Sequence, residues 1–347
     1  MEELNKRVAK ISPMRIAAFE LEPWEQQAFH TAFPEGAVSC YGGPLQDAQI
    51  GDLSDCEILI VFIYSPVSRA IIERLPKLKA ICTMSTGYDH IDLAACKERN
   101  ILVCNVPTYG ERTVAQHTFA LLLGITRKLV ASVEQVRQGS FVPTPALRGH
   151  DIDSKTIGVI GTGKIGRNVI AIANGFHMRV LAYDPFPDPT LETEFNFRYV
   201  SLQELYARSD IITVHVPLND KTKHLIDGPA IEAMQRGVIV LNTSRGGIIE
   251  TNALYQGIVS GHVAAAGLDV LEEESAIKEE KQLLSNSYKP DIDYRTVVLN
   301  HLLIQHPNVL VTPHNAFNSA EALERIVRTS IENVKAIDSG KPKNTVA

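Results

Sequence analysis

The sequence predicts an α/β protein built from two doubly wound units, each a parallel sheet flanked by helices. Three observations predict it. Short apolar runs rich in Ile and Val recur along the chain, each followed by a longer amphipathic stretch. The runs lack period-two alternation, as strands covered on both faces do. The 347 residues suffice for about two domains of ~150 residues each.

In the first series the strands are Met14–Phe19, Ile58–Ile63, Ala80–Thr83 and Ile101–Cys104, with helices over Ser68–Leu75 and Ile91–Arg99. Pro107 and Gly110 punctuate the joint near Asn105–Gly110. Glu111–Arg137 then has the length of a helix of several turns, and Gln138–Asp153, with two glycines and two prolines, reads as a loop. The second series is Thr156–Ile160, Arg179–Tyr183, Ile211–His215, Val238–Asn242 and Ala264–Asp269. Val309–Thr312 is a last short strand and Ser319–Ile337 a closing helix. Residues 1–13 read as a polar leader. Glu272–Pro307 breaks the rhythm, with five glutamates within residues 272–280 and a polar stretch from Ser285 to Thr296, and reads as a solvated surface excursion.

Composition narrows the function. Apolar residues make up 45 % and charged residues 21 %, which excludes a disordered or collagenous chain. Thirty-four basic against 40 acidic residues give a net charge of −6, with no basic block to attract nucleic acid or an anionic membrane. The longest apolar runs, Ile58–Tyr64 and Phe119–Ile125, fall far short of the ~18 residues of a membrane span. The charged start MEELNKRVAK lacks the apolar core of a signal peptide. Five cysteines without a CxxC read as free thiols of a cytoplasmic protein, and no His/Cys/Asp cluster has the spacing of metal ligands.

Residues 156–166, TIGVIGTGKIG, place Gly161, Gly163 and Gly166 between an apolar strand and an amphipathic stretch, Ile165–Phe176. That context makes GxGxxG a dinucleotide fingerprint. Gly161 permits the tight turn, Gly163 the approach of a pyrophosphate, and Gly166 close helix–sheet packing. The free N–H groups of the helix start face the phosphates. Asp184 ends the next strand, RVLAY, 18 residues beyond Gly166. A carboxylate there accepts from both ribose hydroxyls and repels a 2′-phosphate, so the expected cofactor is NAD rather than NADP.

Six further motifs stand apart along the chain: STGYDHID (85–92), NVPTYG (105–110), HVPLNDKT (215–222), NTSRGG (242–247), GLDVLEEE (267–274) and TPHNAF (312–317). In this order, over roughly residues 15 to 340, they closely resemble the D-2-hydroxyacid dehydrogenase family. The resemblance implies a flavodoxin-like catalytic domain over 1–108 plus 311–347, a Rossmann NAD-binding domain over 109–310, and a cleft between them. It also implies a homodimer supported by the long helix after NVP.

The chemistry of the implied reaction gives each residue a role. A guanidinium holds a carboxylate with two parallel bonds, which suits Arg245. The alkoxide formed by hydride addition needs a proton, for which His314 is the donor. A carboxylate beside it favours imidazolium and fixes the ring, and Glu274 matches the family's position. Spacing alone does not choose Glu274 over Glu272 or Glu273, and the last two are expected to face solvent. By the same resemblance, backbone at Thr86 and Gly87 binds the substrate carboxylate, and Tyr109 and Phe317 line the pocket. Lys164, Ile165, Val216, Pro217, Thr222, Thr243 and Asp269 contact NAD. His215 has a structural role near the cofactor, and His301 and His306 are loop residues.

Phe317, Tyr109 and the long segment between Glu274 and His314 resemble the D-lactate dehydrogenase branch. The expected reaction is reduction of pyruvate to D-lactate. A broader 2-keto acid range (2-ketoisocaproate, phenylpyruvate, hydroxypyruvate) is the first alternative, since one methylene in an apolar pocket is worth only about 1–3 kcal/mol. An NAD(H)-sensing binding protein of the corepressor type is the second.

Overall fold

Ile58, Leu59, Ile60 and Val61 are wholly buried, as are Ala80, Ile81 and Cys82. A run with no solvent-facing position fits a parallel sheet covered on both faces. In the computed structural model, which describes residues 14–274 and 293–346, these runs are central strands of the first unit. Its strands are β1 (Ile16–Ala18), β2 (Val38–Cys40), β3 (Ile58–Val61), β4 (Ala80–Thr83) and β5 (Leu102–Cys104), all parallel in the order β2-β1-β3-β4-β5. The helix Pro23–Ala32, entered through Glu22 and Pro23, joins β1 to β2. The closing helix Ala320–Asp338 packs on β4. Beyond it the chain returns antiparallel along β5. Thr345 bridges to Cys104, and Val346 N–H donates to Val103 O at 2.9 Å. The tail thus covers the β5 edge, whose N–H and C=O groups would otherwise stand open.

Among the described residues the second unit holds seven parallel strands: β6 (Thr156–Ile160), β7 (Arg179–Tyr183), β8 (Arg198–Tyr199), β9 (Ile211–Val214), β10 (Val238–Asn242), β11 (Val263–Leu268) and β12 (Val309–Val311). Their order is β12-β11-β10-β9-β6-β7-β8. Side chains alternate between two cores. Ile157, Val159, Ile211 and Leu241 pack with Phe119, Leu122 and Val169 on one face. Ile160, Ile212, Val214 and Val240 pack with Leu205, Ile231 and Leu254 on the other. Strand order reverses direction between β6 and β9, and ligands of such sheets bind at the carboxyl ends of the strands there.

Four features depart from the sequence expectations. Contacts divide the chain into residues up to Tyr109 with those from Ser319 onward, and Gly110–Asn318. The second crossing therefore falls after residue 318 rather than 310. The reason is β12, which pairs Val309 with Ala266 and Val311 with Leu268, tying the following turn to the second unit. The stretch 111–137 is two helices, Glu111–Thr126 and Leu129–Arg137, separated by Lys128 at φ 51°. His150 N–H takes the Thr126 carbonyl at 2.8 Å, which removes it from the helical ladder. Tyr294–Gln305 is a helix rather than part of a polar excursion; Val297, Leu299 and Leu303 are buried, and Asp293 caps it by accepting from Arg295 N–H at 3.0 Å. His301 accordingly lies in a helix and His306 is its C-cap.

The expected polar leader over residues 1–13 and the excursion over residues 275–292 lie outside the described residues. All five cysteines are free thiols. Among the described residues, no helix is long and apolar enough to cross a membrane, and no group of three or more His, Cys, Asp or Glu could hold a metal.

Candidate active site

The glycine loop joins β6 to the helix Lys164–Gly175. Gly161 sits at φ +96°, and a Cβ there would stand 2.6 Å from His215 O, the residue after β9. A Cβ on Gly166 would stand 2.0 Å from Gly161 O. A side chain at Gly161 would force the loop away from the segment after β9, and one at Gly166 would force the helix away from the loop. Gly163, the N-cap, is exposed with nothing within 4 Å of its Cβ position. Asp184, after β7, closes the loop: one carboxylate oxygen accepts from Thr162 N–H at 2.9 Å and Thr162 Oγ1 at 3.0 Å, the other from Phe186 N–H at 2.9 Å. Lys164 Nζ lies 3.9 Å from Glu111 Oε1, and Ile165 packs against the core. Val216 abuts Gly161. Pro217 O accepts from Thr222 Oγ1 at 2.5 Å, and Thr243 Oγ1 shares a hydrogen bond with Thr118 Oγ1 at 3.0 Å.

Past β10, Asn242 shapes the turn that carries Arg245. Its Oδ1 accepts from Ser244 N–H at 3.0 Å and its Nδ2 donates to Arg245 O at 2.9 Å. His314 follows β12 at φ 51°, a left-handed conformation fixed by two bonds from its N–H, to Asp269 O at 2.8 Å and Thr312 O at 2.9 Å. Its Nδ1 lies 2.8 Å from Glu274 Oε1. Arg245, Glu274 and His314 line one cavity of about 370 Å³ within the second unit, with Leu218, Lys223 and Gly247 on its wall.

Asp269 is the fastening behind His314. It accepts from Thr312 Oγ1 at 2.5 Å, Asn315 N–H at 2.8 Å and Ala316 N–H at 2.8 Å. His117, on the helix Glu111–Thr126, lies 3.4 Å from Asp269 Oδ1 and 2.9 Å from Thr312 Oγ1. Burial opposes ionisation of Asp269, but these hydrogen bonds outweigh it and hold the carboxyl below the usual aspartate range. The carboxylate expected to touch the cofactor thus binds the turn that carries His314.

In the first unit, Thr86 and Gly87 follow β4 in a turn held from both sides. Ser85 Oγ donates to Gly87 O at 2.6 Å, Thr86 Oγ1 to Val106 O at 2.9 Å, and Asn105 Nδ2 to Thr86 O at 2.8 Å. No acceptor meets the N–H groups of Thr86 and Gly87 among the described residues. Tyr109 O accepts two bonds from Arg325, at 2.9 and 2.7 Å. Phe317 is half-buried in the turn after His314, in the second unit.

Residues 119–316 match the family model described as D-isomer specific 2-hydroxyacid dehydrogenase, NAD binding domain. The chain belongs to this family. It is an NAD-dependent oxidoreductase. It is 35 % identical over 288 residues to the D-lactate dehydrogenase of Escherichia coli, covering 82 % of this chain and 84 % of the relative. It is 35 % identical over 282 residues to the hydroxypyruvate reductase of Thermotoga maritima, covering 81 % and 85 %. Among solved structures, the D-lactate dehydrogenase of Aquifex aeolicus complexed with NAD and lactic acid superposes with TM-score 0.85 at 31 % identity, covering 94 % of this chain and 96 % of that one.

The dehydrogenase's glycine loop fits NAD. The space above Gly163 and the amide N–H groups opening the helix Lys164–Gly175 suit a pyrophosphate, and Asp184 stands at the strand end where a ribose is read. One expectation fails. Neither Glu272 nor Glu273 simply faces solvent: the Glu272 side chain is 16 % exposed and its carboxylate bonds His224 and Thr251, and Glu273 is half-buried on the wall of the cavity that Arg245, Glu274 and His314 line. Three adjacent glutamates carry no sequence signal of which is engaged. His117 and His224 were likewise invisible, because their partners lie 195 and 48 residues away.

Proposed function

We propose that the protein reduces a 2-keto acid to the D-2-hydroxy acid with NADH, and that pyruvate to D-lactate is its preferred reaction. The observation that carries the reading is the contact of His314 Nδ1 with Glu274 Oε1 at 2.8 Å in the cavity that Arg245 also lines. Bound NADH supplies hydride to the keto carbon. Arg245 holds the substrate carboxylate through its guanidinium fork. Glu274 takes Nδ1 of His314, so Nε2 is the nitrogen that gives its proton to the nascent alkoxide and takes it back in oxidation. By the family's pattern Thr86, Gly87 and Tyr109 are substrate-binding residues of the first unit, and Phe317 one of the second. Gly161, Gly163, Lys164, Ile165 and Gly166 hold the pyrophosphate side of NAD and Asp184 its ribose; Val216, Pro217, Thr222 and Thr243 line the rest.

Phe317 supports an aliphatic substrate, and the D-lactate dehydrogenase relatives support pyruvate. NADH oxidation with pyruvate, 2-ketoisocaproate, phenylpyruvate and hydroxypyruvate tests the choice. Pyruvate should give the highest kcat/KM. A clear preference for another acid overturns the substrate, and NADH binding without turnover overturns the enzymatic reading in favour of an NAD(H)-sensing role.

The helix Leu129–Arg137 supports a homodimer. Leu129, Val130, Val133 and Val136 are 41–58 % exposed along it, and Phe141 beyond it is 86 % exposed. Such an apolar stripe is an interface signature. Light scattering should give twice the chain mass, and Val133→Asp should shift it toward the monomer.

A further inference from the structure

Between the end of β11 at Leu268 and Glu274 the chain has no strand or helix to hold it, yet Glu274 must meet His314 within hydrogen-bond distance. We propose that Glu272, clamped by His224 and Thr251, is the positioning residue that aims Glu274 at His314. The proposal rests on the acid–base reading given above.

Every acceptor of Glu272 is engaged. Oε1 lies 2.6 Å from His224 Nε2. Oε2 accepts from Thr251 N–H at 2.8 Å and Thr251 Oγ1 at 2.7 Å. Its carbonyl accepts from Asn300 Nδ2 at 2.7 Å. These partners come from three other segments: the turn after β9, the start of the helix Thr251–Val259, and the middle of the helix Tyr294–Gln305. His224 is itself held, at φ 52°, by its N–H bond to Gly247 O at 2.8 Å. Glu272 is thus fixed in position by contacts that do not involve the reacting atoms.

The link to Glu274 is short. Glu273 takes φ 51°, a left-handed turn, and the next residue reaches His314. The single intervening residue, Glu273, cannot absorb a displacement of Glu272 without moving Glu274, because its backbone is already in a sparsely populated conformation. A part-buried carboxylate is expensive as mere filling, since an apolar side chain of similar volume would pack there without desolvating a charge. Its use is directional: three donors to one carboxylate fix the angle at which the chain leaves β11.

The test compares Glu272→Ala, Glu272→Gln, Glu274→Gln and the double variant Glu272→Ala/Glu274→Gln in pyruvate reduction. Glu272→Ala should lower kcat about tenfold or more while KM for pyruvate and NADH affinity by fluorescence stay within about threefold. Glu272→Gln should keep about a third or more of kcat, because the amide keeps the shape of the carboxylate and its oxygen still accepts from Thr251. The double variant should be no slower in kcat than Glu274→Gln alone, since the clamp acts on proton transfer through Glu274, while any displacement passed to Arg245 through Gly246 would read out in KM for pyruvate. Thr251→Val, which removes one donor without changing shape, should cost about threefold in kcat and be equally silent on top of Glu274→Gln, so an unstable alanine variant does not stop the test. Normal kcat in Glu272→Ala beside an impaired Glu274→Gln overturns the clamp alone, as do losses that multiply in the double variant. Normal kcat in Glu274→Gln overturns the acid–base reading, and the clamp with it.

Discussion

A Cβ on Gly246 would lie 2.0 Å from the carbonyl carbon of Leu271 and 2.4 Å from the amide nitrogen of Glu272. The residue after Arg245 is therefore pressed against the segment that carries Glu274, and the two functional loops share one contact. Gly246→Ala should drive them apart. Overpacking of this kind costs about 1–3 kcal/mol of stability. Activity should fall further than stability predicts, because Arg245 and Glu274 both move. Thermal melting beside steady-state kinetics checks this, and a variant with normal kcat would mean the segment yields without disturbing either side chain.

Arg245→Lys keeps the charge and removes the fork. Loss of the bidentate grip should cost about 2–4 kcal/mol in kcat/KM for pyruvate. NADH binding, followed by fluorescence, should change far less. Near-normal kcat/KM would remove Arg245 from its place on the substrate carboxylate.

Asp184→Ala should weaken NADH binding and relax discrimination against NADPH, since the carboxylate both bonds ribose hydroxyls and repels a 2′-phosphate. The structure adds a second cost, the lost bonds to Thr162 and Phe186. Asp184→Asn keeps part of that anchoring and should bind NADPH better relative to NADH than the wild type does. Equal losses for both cofactors in both variants would show that the residue only shapes the loop.

His215 should mark the acid side of the stability curve. Burial pushes its imidazole down to about 3. The unfolded chain takes up that proton near pH 6.5, so below about pH 6.5 the unfolded state binds more protons than the folded one. Stability then falls with pH by up to about 1.4 kcal/mol per unit until pH approaches the folded value. His215→Asn should show a shallower slope in urea denaturation between about pH 6 and pH 4. An unchanged slope would mean the imidazole protonates in the folded state.

The sequence made the central strands legible because burial on both faces leaves unbroken apolar runs. Ala80–Thr83, Thr156–Ile160, Arg179–Tyr183 and Val238–Asn242 have the bounds their residues suggest. Of the four edge strands, β5 and β12 still read as short apolar runs, whereas β2, which buries only Val38, and β8, two residues long, wrote no such signal. The break at Lys128 has no glycine or proline to announce it, because its cause is His150 arriving from a distant loop. Glu274 and His314 were readable as members of motifs. The supports behind them, Glu272 with His224 and Asp269 with His117, join positions tens to more than a hundred residues apart, and local spacing carries no trace of such pairings.

The order of residues along the chain also sets the order in which the two units become complete during synthesis. The first unit needs residues from both ends of the chain, whereas Gly110–Asn318 is continuous. At ~5–20 residues per second, roughly 10–40 s pass at the ribosome between Tyr109 and Ser319. Throughout that interval the nascent β1–β5 sheet lacks the helix Ala320–Asp338 over β4 and the tail strand along β5. The second unit can finish folding first, and the half-made sheet is the stage at which a growing chain is most open to chaperones, to proteases and to pairing with its neighbours on the same message.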